Sequence, residues 1–225
     1  MEMFGLDHPV MSAPMGGHSG GGLAGAVSHA GGLGSFGGMG PGLGPGWITE
    51  QVADLRSITD RPFAIGFITP FLDFAAPLLD EALGQRPAAV CLSFSDPSAW
   101  AERIRDAGAK LICQVQDLDG ADLAVDSGAH VLVAQGTEAG GHTGSMSLLP
   151  LLASIVDRYP EIPVLAAGGI GDGATMAAAL VAGADGVMMG TAFLATVEAT
   201  EVDDRYKELI VASDGTDTAL TDVYD

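Results

Sequence analysis

Short apolar runs alternate with longer amphipathic ones along nearly the whole chain, and this rhythm limits the fold more than any single motif. Eight of the runs read as strands: Pro9–Ala13, Gly32–Phe36, Pro62–Phe67, Ala88–Ser93, Ala109–Val115, Ala129–Gln135, Ile162–Ala167 and Asp185–Met189. Between them the spacing predicts helices over Gly22–Ala30, Trp47–Thr59, Phe71–Leu83, Pro97–Ala107, Leu118–Ser127, Ser147–Tyr159 and Asp172–Ala182. Asp96 before Pro97 reads as a helix N-cap with proline at the first helical position. Gly84, Gly108, Gly128 and Gly183 each stand where a helix should stop. Even repetition of strand and helix fits a closed (β/α)8 TIM barrel of minimal size, an α/β fold. The rival, an open doubly wound sheet, needs a switch point that the rhythm does not suggest.

Composition narrows the class. A chain of 225 residues is long enough for one sizeable core and short for two, and 48% hydrophobic residues exclude a disordered chain. Two cysteines without paired spacing exclude a disulfide scaffold and a zinc ribbon, and no metal site is expected. A formal charge of −20 repels phosphate backbones and anionic lipid, which argues against nucleic acid and membrane partners. From His8 to Thr49 there is no charged residue, yet glycine and proline recur too often there for a membrane span. With no basic stretch at Met1–Phe4, a cytoplasmic protein is expected. Residues 1–197 are expected to form the barrel. Glu198–Asp225 reads as an acid-rich helix (Tyr206, Leu209, Ile210) and tail with a solvated face.

In such a barrel, chemistry belongs to the loops after the strands' C-terminal ends. After the first strand come Ala13-Pro14-Met15-Gly16-Gly17-His18, opening a stretch to Gly46 in which about every second residue is glycine. Bare backbone there can approach a flat ligand. After the sixth strand, Gln135-Gly136-Thr137-Glu138-Ala139-Gly140-Gly141-His142 carries an imidazole on a glycine-rich loop, the side chain suited to proton transfer near neutral pH. After the seventh and eighth strands, Gly168-Gly169-Ile170 and Met189-Gly190-Thr191 each precede a helix, which points to a phosphate-bearing ligand held by backbone N–H groups.

At these motifs the sequence resembles the nitronate monooxygenase family, formerly called 2-nitropropane dioxygenases. Pro9 to Gly17, Ala26 to Gly34, Ala166 to Ile170 and Met189 to Thr191 match in order. Gln135 to Gly144, similar to the family's Q-G-x-E-A-G-G-H-x-G, is the most specific stretch. The resemblance implies FMN at the barrel mouth, its phosphate on Gly168, Gly169, Gly190 and Thr191, with Met189 beside them. Gln135, Gly140 and Gly141 would sit by the flavin ring, Ala13, Pro14, Met15 and Gly16 near its reactive edge, and His142 would be the catalytic base. The implied reaction oxidises an alkyl nitronate or nitroalkane with O2 to a carbonyl compound and nitrite. Two departures are visible. Gly66 stands where many members have an FMN-contacting Asn after the third strand, leaving Ser93, Gln114 or Gln116 to substitute. Members also usually continue well past the eighth strand with a lid segment, shortened or missing in this sequence.

Other readings remain open at this point. A similar His loop occurs in NAD(P)H-dependent flavin reductases acting on enoyl thioesters of acyl carrier protein or on quinones. A truncated, catalytically silent flavin-binding protein is a further alternative, and a sugar-phosphate barrel without flavin is the last. Oligomeric state is left open, a homo-oligomer included. His8 and His29 read as solvated or capping groups, and His130 as structural. Cys91 and Cys113 read as small buried hydrophobes, and Glu138 as a residue that fixes its loop. His18 is a candidate for substrate contact.

Overall fold

The computed structural model describes residues 1–40 and 44–221; the end of the expected tail, Tyr224 and Asp225 included, lies outside the described residues. The strands are β1 (Val10–Ser12), β2 (Gly34–Gly37), β3 (Phe63–Ile68), β4 (Ala89–Ser93), β5 (Lys110–Val115), β6 (Val131–Gln135), β7 (Val164–Ala167) and β8 (Gly186–Met189). They form one eight-stranded parallel sheet in the order β1-β8-β7-β6-β5-β4-β3-β2. The helices between them are α1 (Gly21–His29), α2 (Trp47–Ile58), α3 (Leu72–Gly84), α4 (Ser98–Asp106), α5 (Leu118–Asp126), α6 (Leu148–Arg158) and α7 (Gly173–Val181). A short α8 (Thr191–Leu194) and α9 (Asp204–Ala212) follow β8. The chain is a (β/α)8 barrel. Among the described residues no helix is long and apolar enough to cross a membrane.

Alternation along the strands splits the apolar residues into two sets. Met11, Ala64, Ala89, Cys91, Ile112, Val131, Val133 and Met188 form one buried cluster inside the barrel. Phe36, Phe63, Leu92, Cys113, Leu132 and Val187 belong to the layer shared with the helices. Cys91 and Cys113 therefore sit on opposite faces of the sheet. Burial pushes the Cys91 thiol up to about 12 and raises that of Cys113 as well, so both behave as hydrophobes.

The seam between β1 and β2 closes differently from the rest. The backbones meet only through a Met11–Leu33 bridge, with Leu33 N–H donating to Val10 at 2.9 Å and Ser12 N–H to Leu33 at 3.2 Å. One residue further, side chains take over. Ser35 N–H donates to Ser12 Oγ at 2.8 Å, Ser12 Oγ donates to Ser35 O at 3.3 Å, and Ser35 Oγ donates to Ser12 O. Both serines are fully buried. This is why β2 begins at Gly34 rather than Gly32: the preceding residues face β1 across the seam instead of pairing with β3.

Other boundaries also move for local reasons. β7 starts at Val164 because Pro163 has no N–H to give, although its carbonyl accepts from Leu132 N–H at 3.0 Å. Gly108, Gly128 and Gly183 follow their helices with φ of 82°, 83° and 105°, as expected of C-terminal glycines. Gly84 instead remains helical, and Arg86 takes the left-handed turn at φ 53°. Pro97 stands just outside α4, with Asp96 Oδ1 accepting from Ser98 N–H at 2.8 Å. His130 Nδ1 accepts from Leu111 N–H at 3.1 Å, and burial together with Lys110 and Arg105 holds its pKa below the usual histidine value. His8 and His29 are exposed.

Replacing Ser35 by Ala takes the hydroxyl donor away from the buried Ser12 carbonyl. A loss of about 1–3 kcal/mol of unfolding free energy is expected from denaturant titration. An unchanged midpoint would mean that the backbone bridge and the Ser12 hydroxyl close the seam without the Ser35 hydroxyl.

Candidate active site

The inward rows of the strands change character at their C-terminal ends. Below they are mostly apolar; toward the top stand Gly66 on β3, Ser93 on β4, Gln114 on β5 and Gln135 on β6. Ser93 Oγ donates to Gln114 Oε1 at 3.3 Å. Gln135 is nearly fully buried and donates from Nε2 to Gly140 O at 3.5 Å. Gln116, just past β5, donates from Nε2 to both Gln135 Oε1 at 2.9 Å and His142 O at 3.0 Å. One amide thus ties the polar floor to the loop bearing the imidazole.

Four loops rise around this floor. Pro14 of the β1 loop lies against β3: a Cβ on Gly66 would stand 2.3 Å from its ring, so only glycine is tolerated there. Gly66 is part of β3 itself and does not follow it. Across the cavity, Gly140, Gly141 and His142 form the β6 loop, and His142 is half-buried. The ring of Phe94 stands edge-on to the imidazole, centroids 5.5 Å apart. Phe94 holds φ 74°, a left-handed conformation that costs a bulky residue about 1–3 kcal/mol. Glu138 accepts from Leu148 N–H at 3.0 Å and so fixes the start of α6 to the loop.

The other two loops are those after β7 and β8. Gly168 and Gly169 are both left-handed, at φ 118° and 64°, backbone that glycine adopts without the strain of a side chain. The start of α7 is already satisfied by its own carboxylate: Asp172 Oδ1 accepts from Thr175 N–H at 2.8 Å in a capping box. That helix therefore offers less to an outside anion than the sequence suggests. Gly168, Gly169, Gly190 and Thr191 themselves remain on the wall.

All the residues singled out from the sequence (Ala13, Pro14, Met15, Gly16, Gly66, Gln114, Gln135, Gly140, Gly141, His142, Gly168, Gly169, Met189, Gly190 and Thr191) line one cavity of about 430 Å³. Its lining among the described residues includes His18, Glu138 and His142 but no Lys or Arg. The sequence reading missed three contributors. Gln116 was visible only as a substitute for an absent Asn, not as the bridge it is. Phe94 gave no signal, because a left-handed phenylalanine is set by tertiary packing. Tyr206 of α9 reaches the cavity from a segment that read as an amphipathic helix, with no sign that its apolar side meets the site.

A family model described as nitronate monooxygenase matches residues 1–77 and 75–225. The chain belongs to the nitronate monooxygenase family. It is 32% identical to a nitronate monooxygenase of Paraburkholderia phytofirmans, over 98% of this chain and 72% of that protein. It is 33% identical to a Mycobacterium tuberculosis protein named as a hydroxy-methyl-oxo-octahydroindene-carboxyl-CoA dehydrogenase, over 96% of this chain but 61% of that one. Among solved structures, FabK from Thermotoga maritima superposes with a TM-score of 0.86 at 34% identity, covering 94% of this chain and 67% of that chain. As a member of this family the chain is an oxidoreductase.

Replacing Gln116 by Ala removes its hydrogen bonds to the His142 carbonyl of the loop and to Gln135 of the floor. Amide exchange over residues 139–144 should quicken about tenfold or more, read by mass spectrometry, the scale of one to two net hydrogen bonds. Unchanged exchange would show that Gln135 and Glu138 secure the loop without Gln116.

Proposed function

We propose that the protein is an FMN-dependent nitronate monooxygenase, oxidising alkyl nitronates, and nitroalkanes after deprotonation, with O2 to carbonyl compounds and nitrite. One observation carries the reading: a cavity at the strands' C-terminal ends has His142 on one wall and the backbone of Gly168, Gly169, Gly190 and Thr191 on another. The residues suit a flat cofactor with an anionic end. A Cβ on Gly140 or Gly141 would meet nothing within 4 Å, so the bare backbone there leaves room against the cavity for a planar ring. Gln114 and Gln135 supply donors and acceptors on the floor, with Ser93 beside them. Pro14, seated on Gly66, puts apolar surface and backbone of the β1 loop at the opposite edge.

When bound, FMN supplies the electron transfer, while the protein supplies position and electrostatics. The chain's own work is to orient and to move a proton. His142 removes the α-proton of a neutral nitroalkane; with a nitronate, already deprotonated, it orients the anion. Gln116 holds the carbonyl of His142, and Phe94 limits the tilt of its ring. Substrate enters beside Met15 and Leu194, apolar contacts suited to a short alkyl chain.

A second reading, an NAD(P)H-dependent flavin reductase acting on a thioester, is favoured by the likeness to FabK and to a protein named for a carboxyl-CoA substrate. The two separate in one cuvette. Purified protein is expected to be yellow, to release nitrite from an alkyl nitronate only with O2 present, and to resist anaerobic bleaching by NADH. Rapid bleaching without nitrite release would select the reductase. His142→Asn should keep the flavin while nitroalkane turnover falls about 10²-fold or more. Unaltered turnover would remove His142 from the base's role.

A further inference from the structure

The cavity lining contains a second pairing of an imidazole with an aromatic ring. His18, on the β1 loop, and Tyr206, in the first turn of α9, both line the cavity, their ring centroids 6.2 Å apart at a tilt of 45°. His18 is fixed from below. Its Nδ1 lies 3.2 Å from Gly16 O, and a carbonyl only accepts, so Nδ1 carries the proton and donates. The loop under it is held in turn, with His18 N–H and Ser19 N–H donating to Met15 O at 3.0 and 2.9 Å.

Tyr206 is anchored from the other side. Asp203 caps α9, accepting from Tyr206 N–H at 2.9 Å, and Ile210 packs on a buried cluster of Leu23, Val27, Leu194, Ala199 and Val202. The tyrosine is 43% exposed and lines the cavity, so the residue is within reach of a ligand there. Apolar neighbours Met15 and Leu194 lie on the same wall. A neutral donor beside apolar surface suits a small substrate with a compact oxygen acceptor and a short alkyl chain. It does not suit a large polyanion.

We propose that Tyr206 selects the substrate by donating its hydroxyl to a nitronate oxygen, and that His18 is a positioning residue holding the Tyr206 ring. The proposal rests on the nitronate reading above. The test uses FMN-loaded protein and propane 2-nitronate. Anaerobic titration followed by flavin absorbance gives a Kd, and aerobic nitrite release gives kcat and KM. Tyr206→Phe and His18→Ala should each raise Kd and KM about tenfold, the scale of one hydrogen bond, with the loss larger in KM than in kcat. His18→Phe, which keeps a ring against the tyrosine, should recover most of the loss. A wild-type Kd in Tyr206→Phe overturns the proposal while leaving the flavin reading standing. So does equal loss in His18→Ala and His18→Phe for the role of His18. If the wild type takes up no FMN, the flavin reading fails. Calorimetric titration of the same proteins with the nitronate then decides the wall: the same ordering of affinities supports it, and equal affinities overturn it.

Discussion

Everything above the sheet depends on how β1 meets β2. Seven of the eight neighbour relations around the barrel are ordinary parallel ladders; the eighth is a single backbone bridge reinforced by the buried hydroxyls of Ser12 and Ser35. A hydroxyl can both donate and accept, so two of them replace the amide pairs that a sharply turned seam cannot align. The closure places the β1 loop over β3. Pro14 can settle there only because residue 66 has no side chain. A looser seam would move one wall of the cavity relative to the three others.

The same alternation that packs the interior also sets out the site. On β4, β5 and β6 the inward rows end at the C-terminal side in Ser93, Gln114 and Gln135. Polar groups at that height need partners, and the structure supplies them laterally, strand to strand, and upward through Gln116 to the His142 loop. Floor and loop are one hydrogen-bonded unit. The strained backbone of Phe94 sits at its edge, where packing against the imidazole outweighs a local penalty.

The barrel was legible because its signal is periodic and repeated, and each repeat corrects the others. Strand and helix ends shifted where one residue's chemistry intervened, as at Pro163, or where a left-handed turn fell on Arg86 instead of on a glycine. The loop motifs were legible because glycine and histidine are rare enough in such spacing to stand out. Contributors fixed by long-range contact were not. Nothing near Gln116 announces that its amide will reach both Gln135 and a carbonyl 26 residues on. Nothing near Phe94 announces a positive φ. Tyr206 read as part of an amphipathic turn, but nothing local says that this turn packs beside the cavity. Asp172 shows the opposite failure, where a helix start looked open to an anion and is instead closed by its own residue.

The absence of ammonium and guanidinium groups from the described cavity wall has a consequence for the solvents in which such a protein can work. An anion gripped by peptide dipoles at contact distance has no mobile counter-charge partner to lose when the medium fills with ions. An anion paired to an exposed lysine is weakened as screening lengths shrink to a few ångströms. On the proposed reading, a charged guest in this cavity relies on no lysine or arginine ion pair that high salt would screen, and the acidic exterior is left to manage hydration.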